Sequence, residues 1–265
     1  MNSKDKPIVF GVPFEGKGNF FRGTSLGPQK IRWALESIEF YSLYQQALMP
    51  RYIDVGDLYP ESDSEPEEAL KKIEAAIDRV LDGGYPFLAL GGDHLITYPL
   101  VKSAGKIWND IHILHIDAHL DRRDSFEGRY FSHATVIRRL EELFGENKIC
   151  SFGYRSKSPE EKEPACGEPF RVLEPLMAQI EKWKGKPIYL TLDLDVLNPA
   201  EFPAVTNPEP GGISFMELLE VIKLLRGKII GADLVEFNPL AAPGNHSAIT
   251  AAVLMREILI ALSAK

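Results

Sequence analysis

Residues 111–121 read IHILHIDAHLD, with apolar side chains at most of the first six positions, running without a break into Asp117, His119 and Asp121. A strand with one wet face would alternate apolar and polar residues, whereas a strand covered by helices on both faces can be apolar almost throughout. Residues 187–195, PIYLTLDLD, repeat the pattern and end on Asp193 and Asp195. Two such strands imply a central parallel sheet between two helical layers.

Moving outward, the same rhythm fills the chain. Strands are predicted at 7–12, 51–55, 86–90, 111–117, 148–152, 187–193 and 229–235. Helices are predicted between and after them at 27–37, 66–81, 98–104, 134–144, 176–183, 215–225 and 248–263. Alternation of this kind is the pattern of parallel strands joined by crossover helices. The helix over 66–81 has the clearest signals, with Ser64 and Glu65 before Pro66, Leu70, Ile73, Ile77 and Val80 on one face, and Gly83 and Gly84 behind it. The expected fold is α/β, a single three-layer α/β/α domain over residues 1–265 with a mostly parallel sheet. The polar stretch 155–169 is expected to be a surface loop with a turn or short helix, serving as a solvated connector.

Composition narrows the classes of function. The 265 residues carry 30 Lys and Arg against 38 Asp and Glu, a net charge of −8, which argues against a nucleic-acid binder and suits a cationic ligand. No signal peptide and no bilayer-spanning run is expected, so the reading is cytoplasmic with no membrane partner. The C-terminal helix, interrupted by Arg256 and Glu257, is expected in the core or at a subunit contact. Cys150 and Cys166, in neither a metal nor a redox spacing, are expected to be two reduced thiols.

The residues that follow the strands carry the chemistry. Gly91-Gly92-Asp93-His94 follows one strand, Asp117-Ala118-His119-Leu120-Asp121 a second, Asp193-Leu194-Asp195 a third, and Glu236 a fourth. All lie at carboxyl ends, where α/β folds bind ligands. Side chains at i and i+2 of an extended segment point the same way, so Asp117, His119 and Asp121 project together, as do Asp193 and Asp195. One Asp at a strand end is commonly a helix cap, but carboxylates clustered inside apolar strands demand a positive charge, and the motifs themselves contain no Lys or Arg. His94, Asp117, His119, Asp121, Asp193 and Asp195 therefore read as metal ligands. Two imidazoles and four carboxylates are too many for one tetrahedral zinc and suit two metals of a harder kind such as Mn²⁺. A two-metal hydrolase is the resulting expectation.

GGDH, DAHLD and DLD together resemble the three metal motifs of the ureohydrolase family, and the chain is more similar to agmatinases than to arginases. Residues 11–32, GVPFEGKGNFFRGTSLGPQKIR, and Glu236-Phe237-Asn238-Pro239 extend the resemblance along the chain. It implies two Mn²⁺ per subunit, one held by His94, Asp117, Asp121 and Asp193, the other by Asp117, His119, Asp193 and Asp195. It further implies that Glu236 holds a substrate guanidinium, that His133 shuttles protons at the substrate, that Asp121 accepts a proton from the attacking oxygen, and that subunits form trimers or hexamers. The implied reaction cleaves a guanidino compound to urea and an amine. Agmatine giving putrescine, a step of polyamine biosynthesis, comes first, with aminopropylagmatine and guanidinobutyrate as alternatives. Arg123 stands where arginases have an Asn that reads the α-carboxylate; Leu95, Asn198 and residues 201–208 also depart from the family pattern. A deacetylase-like enzyme with one zinc and a non-catalytic binding protein are the competing readings.

Overall fold

The computed structural model describes residues 6–16, 21–59 and 66–263. In chain order the elements are β1 (Ile8–Val12), α1 (Gly27–Leu35), β2 (Tyr41–Ser42), β3 (Ala47–Leu48), β4 (Ile53–Asp57), α2 (Pro66–Leu81), β5 (Phe87–Gly91), α3 (Thr97–Ile107), β6 (His112–Ile116), α4 (Val136–Phe144), β7 (Ile149–Phe152), β8 (Gly167–Glu168), α5 (Leu173–Lys182), β9 (Ile188–Asp193), α6 (Phe215–Leu224), β10 (Ile229–Val235) and α7 (His246–Ser263). Eight strands form one sheet in the order β4-β1-β5-β10-β9-β6-β7-β8, and β2 and β3 form a separate hairpin. Every pair in the large sheet is parallel. All seven expected strands and all seven expected helices are present, with ends shifted by a few residues; Ser64 and Glu65 lie outside the described residues.

Strand alternation divides the interior into two cores. Val9, Leu88, Leu114, Leu190 and Leu234 point to one face, against Ile31 of α1, Leu176 of α5, Leu218 of α6 and Leu254 of α7. Phe10, Phe87, Ile113 and Tyr189 point to the other, against Leu70 and Ile73 of α2, Leu100 of α3 and Leu140 of α4. This is the three-layer arrangement that uniformly apolar strands require. Local signals fix the helices: Glu67 and Glu68 sit in the first turn of α2, complementing its dipole, and Ser214 with Glu217 forms a capping box at α6. By length and composition α7 is the one helix among the described residues that could cross a membrane, but 72% of it is buried inside the fold. Its Arg256 and Glu257 pair with each other, and Glu257 takes hydrogen bonds from Ser42 and Gln45 of the hairpin. It is a core helix.

Two expectations are corrected. Cys150 and Cys166 form a disulfide. They lie 16 positions apart in sequence, but β7 and β8 pair Ser151 with Gly167, so the preceding cysteines fall side by side, with Cα atoms 4.6 Å apart. The polar stretch 155–169 is likewise no free connector. It returns through β8 to the sheet, and Glu161 within it is buried, its carboxylate accepting from the Arg122 and Ser158 backbone N–H groups at 2.8 and 2.6 Å.

Candidate metal centre

The four strands whose ends carry Asp, His or Glu are neighbours in the middle of the sheet, in the order β5, β10, β9, β6. At the ordinary strand spacing of about 4.8 Å, their carboxyl ends bring His94, Glu236, Asp193 and Asp117 to one rim. Two of these segments hold left-handed backbone at non-glycine residues, Asp121 at φ 52° and Glu236 at φ 62°. Such conformations cost about 1–3 kcal/mol and persist where the surroundings force them. Gly92 is required for a different reason: a Cβ there would lie 2.1 Å from the Phe14 carbonyl oxygen, in the loop after β1.

His94 is fully buried and its two ring nitrogens have different fates. Nε2 lies 2.9 Å from the Thr191 hydroxyl, which donates to Asp233 Oδ1 at 2.7 Å. Asp233 also accepts from the Tyr189 hydroxyl. With its own proton committed to Asp233, the Thr191 oxygen must accept from His94 Nε2–H. Nδ1 is then the lone-pair side, and it is buried without an aligned hydrogen bond. Around it stand Asp117 Oδ2 at 3.1 Å, Asp121 Oδ2 at 3.2 Å and Asp193 Oδ2 at 3.1 Å. Lone pairs facing lone pairs at that distance need a cation between them. Separations near 3.1 Å are also what adjacent corners of an octahedron with bonds of about 2.2 Å would give.

A second cluster adjoins the first. His119 Nδ1 faces Asp195 Oδ2 at 2.9 Å and Asp117 Oδ1 at 3.6 Å, so Asp117 offers one oxygen to each cluster. The six expected ligands are thus brought together, and they fit two divalent ions with Asp117 shared. The expected sharing of Asp193 shows no contact to His119 comparable to that of Asp117. Asp193 also holds its own loop, accepting from Asp195 N–H at 2.9 Å.

The electrostatics point the same way. Burial, with the charges of Asp195 and Asp117 beside it, pushes the Asp193 carboxyl well above the usual carboxylate range. Burial and the charge of Asp93 do the same to Glu236. Burial would lower the His94 pKa, but its three carboxylates outweigh that and raise it. His119 rises similarly, chiefly through Asp195, against the opposing effect of burial. Without a metal, protons supply the missing positive charge. The metal-free protein is therefore expected to lose stability as pH rises, since the unfolded chain ionises first, from about pH 4 at the carboxyls and about 6.5 at the imidazoles, while the folded groups hold their protons. Divalent metal should abolish that decline, because it replaces those protons. Thermal melts against pH, with chelator and with metal, check it; parallel curves would contradict the cation-demanding centre.

The centre opens into a cleft of ≈ 290 Å³, at the small end of ligand sites, lined also by Arg123, Phe126, His133, Lys157, Glu209 and Glu236. Glu236 Oε1 accepts from the His94 backbone N–H at 2.7 Å. His133 opens a short 3-10 turn before α4, its Nδ1 3.8 Å from Asp93 Oδ2 and its ring 5.2 Å from that of Phe126. Glu209 was not anticipated from the sequence; its Oε1 lies 3.5 Å from His119 Nε2, behind the nitrogen that faces the cluster. His115 was also missed. Its Nε2–H donates to Asp117 Oδ2 at 2.9 Å, and the i, i+2 rule applied one step earlier would have placed it there. The departures are accommodated: Asn198 closes its turn by accepting from Ala200 N–H, Leu95 packs in the core, and Phe202, Ala204 and Val205 bury the 201–208 loop.

The arginase family model matches residues 5–261. An agmatinase from Halalkalibacterium halodurans is 37% identical over 97% of this chain and 92% of its own length. A guanidinobutyrase from Pseudomonas aeruginosa is 32% identical over 99% and 88%. The crystal structure of the agmatine ureohydrolase of Thermoplasma volcanium, 31% identical, superposes with a TM-score of 0.86 over 98% of this chain and 92% of that one. These likenesses run the length of the chain and decide against the deacetylase-like and non-catalytic readings: the protein is a ureohydrolase and belongs to the arginase family.

Proposed function

We propose that this single-domain enzyme hydrolyses agmatine to urea and putrescine with two manganese ions. The observation that carries the reading is the Glu236 carboxylate beside the paired His–Asp clusters, in a cleft sized for a small molecule. His94, Asp117, Asp121 and Asp193 would hold one ion and Asp117, His119, Asp193 and Asp195 the other. Oxygen-rich ligands with imidazole and no thiolate suit Mn²⁺. When bound, the pair lowers the pKa of water towards neutrality, which an unreactive guanidinium needs.

The chain's own groups do the rest. Glu236 binds the planar cation by charge-assisted hydrogen bonds and fixes the guanidinium carbon near the clusters. Asp121, on the cleft wall, takes the proton released as the C–O bond forms. His133, on the cleft lining, passes a proton to the departing amine, an imidazole being suited to that near neutral pH. The C–N bond then breaks to give urea and the amine.

Guanidinobutyrate is the second reading. Arg123 and Lys157 bring two cations to the cleft wall, where a substrate carboxylate would be welcome. Glu209 on the same wall favours an ammonium instead. Manganese-loaded protein should be offered agmatine, aminopropylagmatine, guanidinobutyrate and arginine, with urea as the readout. Agmatine should lead in kcat/KM by at least about tenfold, the size of one good ionic discrimination. A lead for guanidinobutyrate would overturn the substrate assignment and leave the reaction class standing.

A further inference from the structure

Arg155 heads the stretch expected to be a solvated connector, yet its guanidinium is turned inward and spent on backbone carbonyls. Nη2 donates to Asp195 O at 2.8 Å, Glu209 O at 3.0 Å and, more weakly, Leu197 O at 3.4 Å. Nη1 donates to Val196 O at 3.2 Å and reaches Gly153 O at 3.5 Å, while Nε donates to Pro210 O at 3.1 Å. The Arg155 backbone N–H donates to Ala118 O at 2.8 Å, inside the DAHLD motif. One residue thus joins three segments: the one bearing Asp117 and His119, the one bearing Asp195, and the one bearing Glu209.

The position of the shared nitrogen matters most. The two residues whose carbonyls make its shortest bonds, Asp195 and Glu209, are those whose carboxylates flank the His119 ring, at Nδ1 and Nε2 respectively. A metal-binding imidazole commonly has a carboxylate behind its second nitrogen, fixing ring orientation and tautomer. Glu209 stands in that place for His119, but it lies on a loop remote from His119 in sequence and needs to be held. A guanidinium spreads its donors over three nitrogens in a rigid fork, so Nη1 holds the Asp195 loop and Nε the Glu209 loop while Nη2 serves both; a lysine ammonium is a single point with three donors and replaces Nη2 alone. Gly212 leaves room for the fork, since a Cβ there would lie 2.9 Å from Nη2.

We propose that Arg155 is the positioning residue for the His119 half of the metal centre, locking Asp195 and Glu209 on either side of the imidazole. The inference rests on the two-metal reading above. Its test is manganese titration of metal-free wild type, Arg155→Lys and Arg155→Gln by calorimetry, with metal content by elemental analysis and melting curves to confirm folding. Wild type should bind two ions. Both variants should keep one ion at near wild-type affinity and bind the second about 10–100-fold more weakly, the usual loss when an outer partner is removed. Their kcat should fall more than KM changes at fixed manganese, and saturating manganese should restore part of it. Two ions bound with wild-type affinity by Arg155→Lys would overturn the fork, and equal weakening of both ions would overturn selectivity for the His119 half. Fewer than two ions on wild type would overturn the two-metal reading instead, so the two failures are distinguishable.

Discussion

Asp193→Asn is expected to strip both ions from the centre and lower urea release at least roughly 10³-fold, more than the loss of one electrostatic stabiliser because the nucleophile goes as well. The substitution is nearly isosteric, and the amide oxygen can still accept from Asp195 N–H, the bond that closes the loop after β9. The backbone should therefore stay in place. What disappears is a negative charge 3.1 Å from His94 Nδ1, on a residue only 2% exposed. In the metal-free wild type ionising Asp193 is costly, because burial and the charges of Asp195 and Asp117 push its pKa up. Metal-free Asp193→Asn should consequently melt at or above the temperature of metal-free wild type, while metal raises the melting temperature of wild type alone. Elemental analysis after desalting and paired melts with and without manganese check this. An active, manganese-replete Asp193→Asn protein would remove Asp193 from the centre, and a variant unfolded even without metal would make its role structural.

The strands and the six cluster residues were readable in the sequence because their information is local: apolar runs, strand-end positions and i, i+2 parity. The topology made those local signals converge, since the four strands that end in Asp, His or Glu are the four adjacent ones. What was missed depends on pairing between distant segments. Cys150 and Cys166 meet through the β7 to β8 register, and Arg155 and Glu209 meet across two loops. Asp233 had a visible signal, a carboxylate inside an apolar strand, but its partner Thr191 lies opposite it only because β10 pairs with β9 in that register. The short hairpin of β2 and β3 has too few residues to show a period at all.

Glu236→Gln should separate substrate binding from metal binding. Glu236 is committed at one end, with Oε1 accepting from His94 N–H at 2.7 Å inside the fold. A glutamine can keep that bond only by turning its carbonyl oxygen to His94, because its NH₂ would otherwise face the N–H donor to donor. The NH₂ group must then point into the cleft, where an arriving guanidinium also presents only donors. The change removes a charge-assisted acceptor and installs a repulsive contact, where a truncation to alanine would do only the first. Losing one partner of a desolvated charged pair costs about 2–5 kcal/mol, so kcat/KM should fall by roughly 30-fold to 4,000-fold, with KM rising strongly. The manganese content should stay at two per subunit, since Glu236 touches the clusters only through the His94 backbone. Glu236→Ala should bind the guanidino substrate no worse than Glu236→Gln, an inversion of the usual order of conservative and drastic substitutions. Measuring KM, kcat and metal content for both variants decides the matter: a glutamine variant with unchanged KM would show that the guanidinium is held elsewhere, and loss of metal would make Glu236 part of the centre itself.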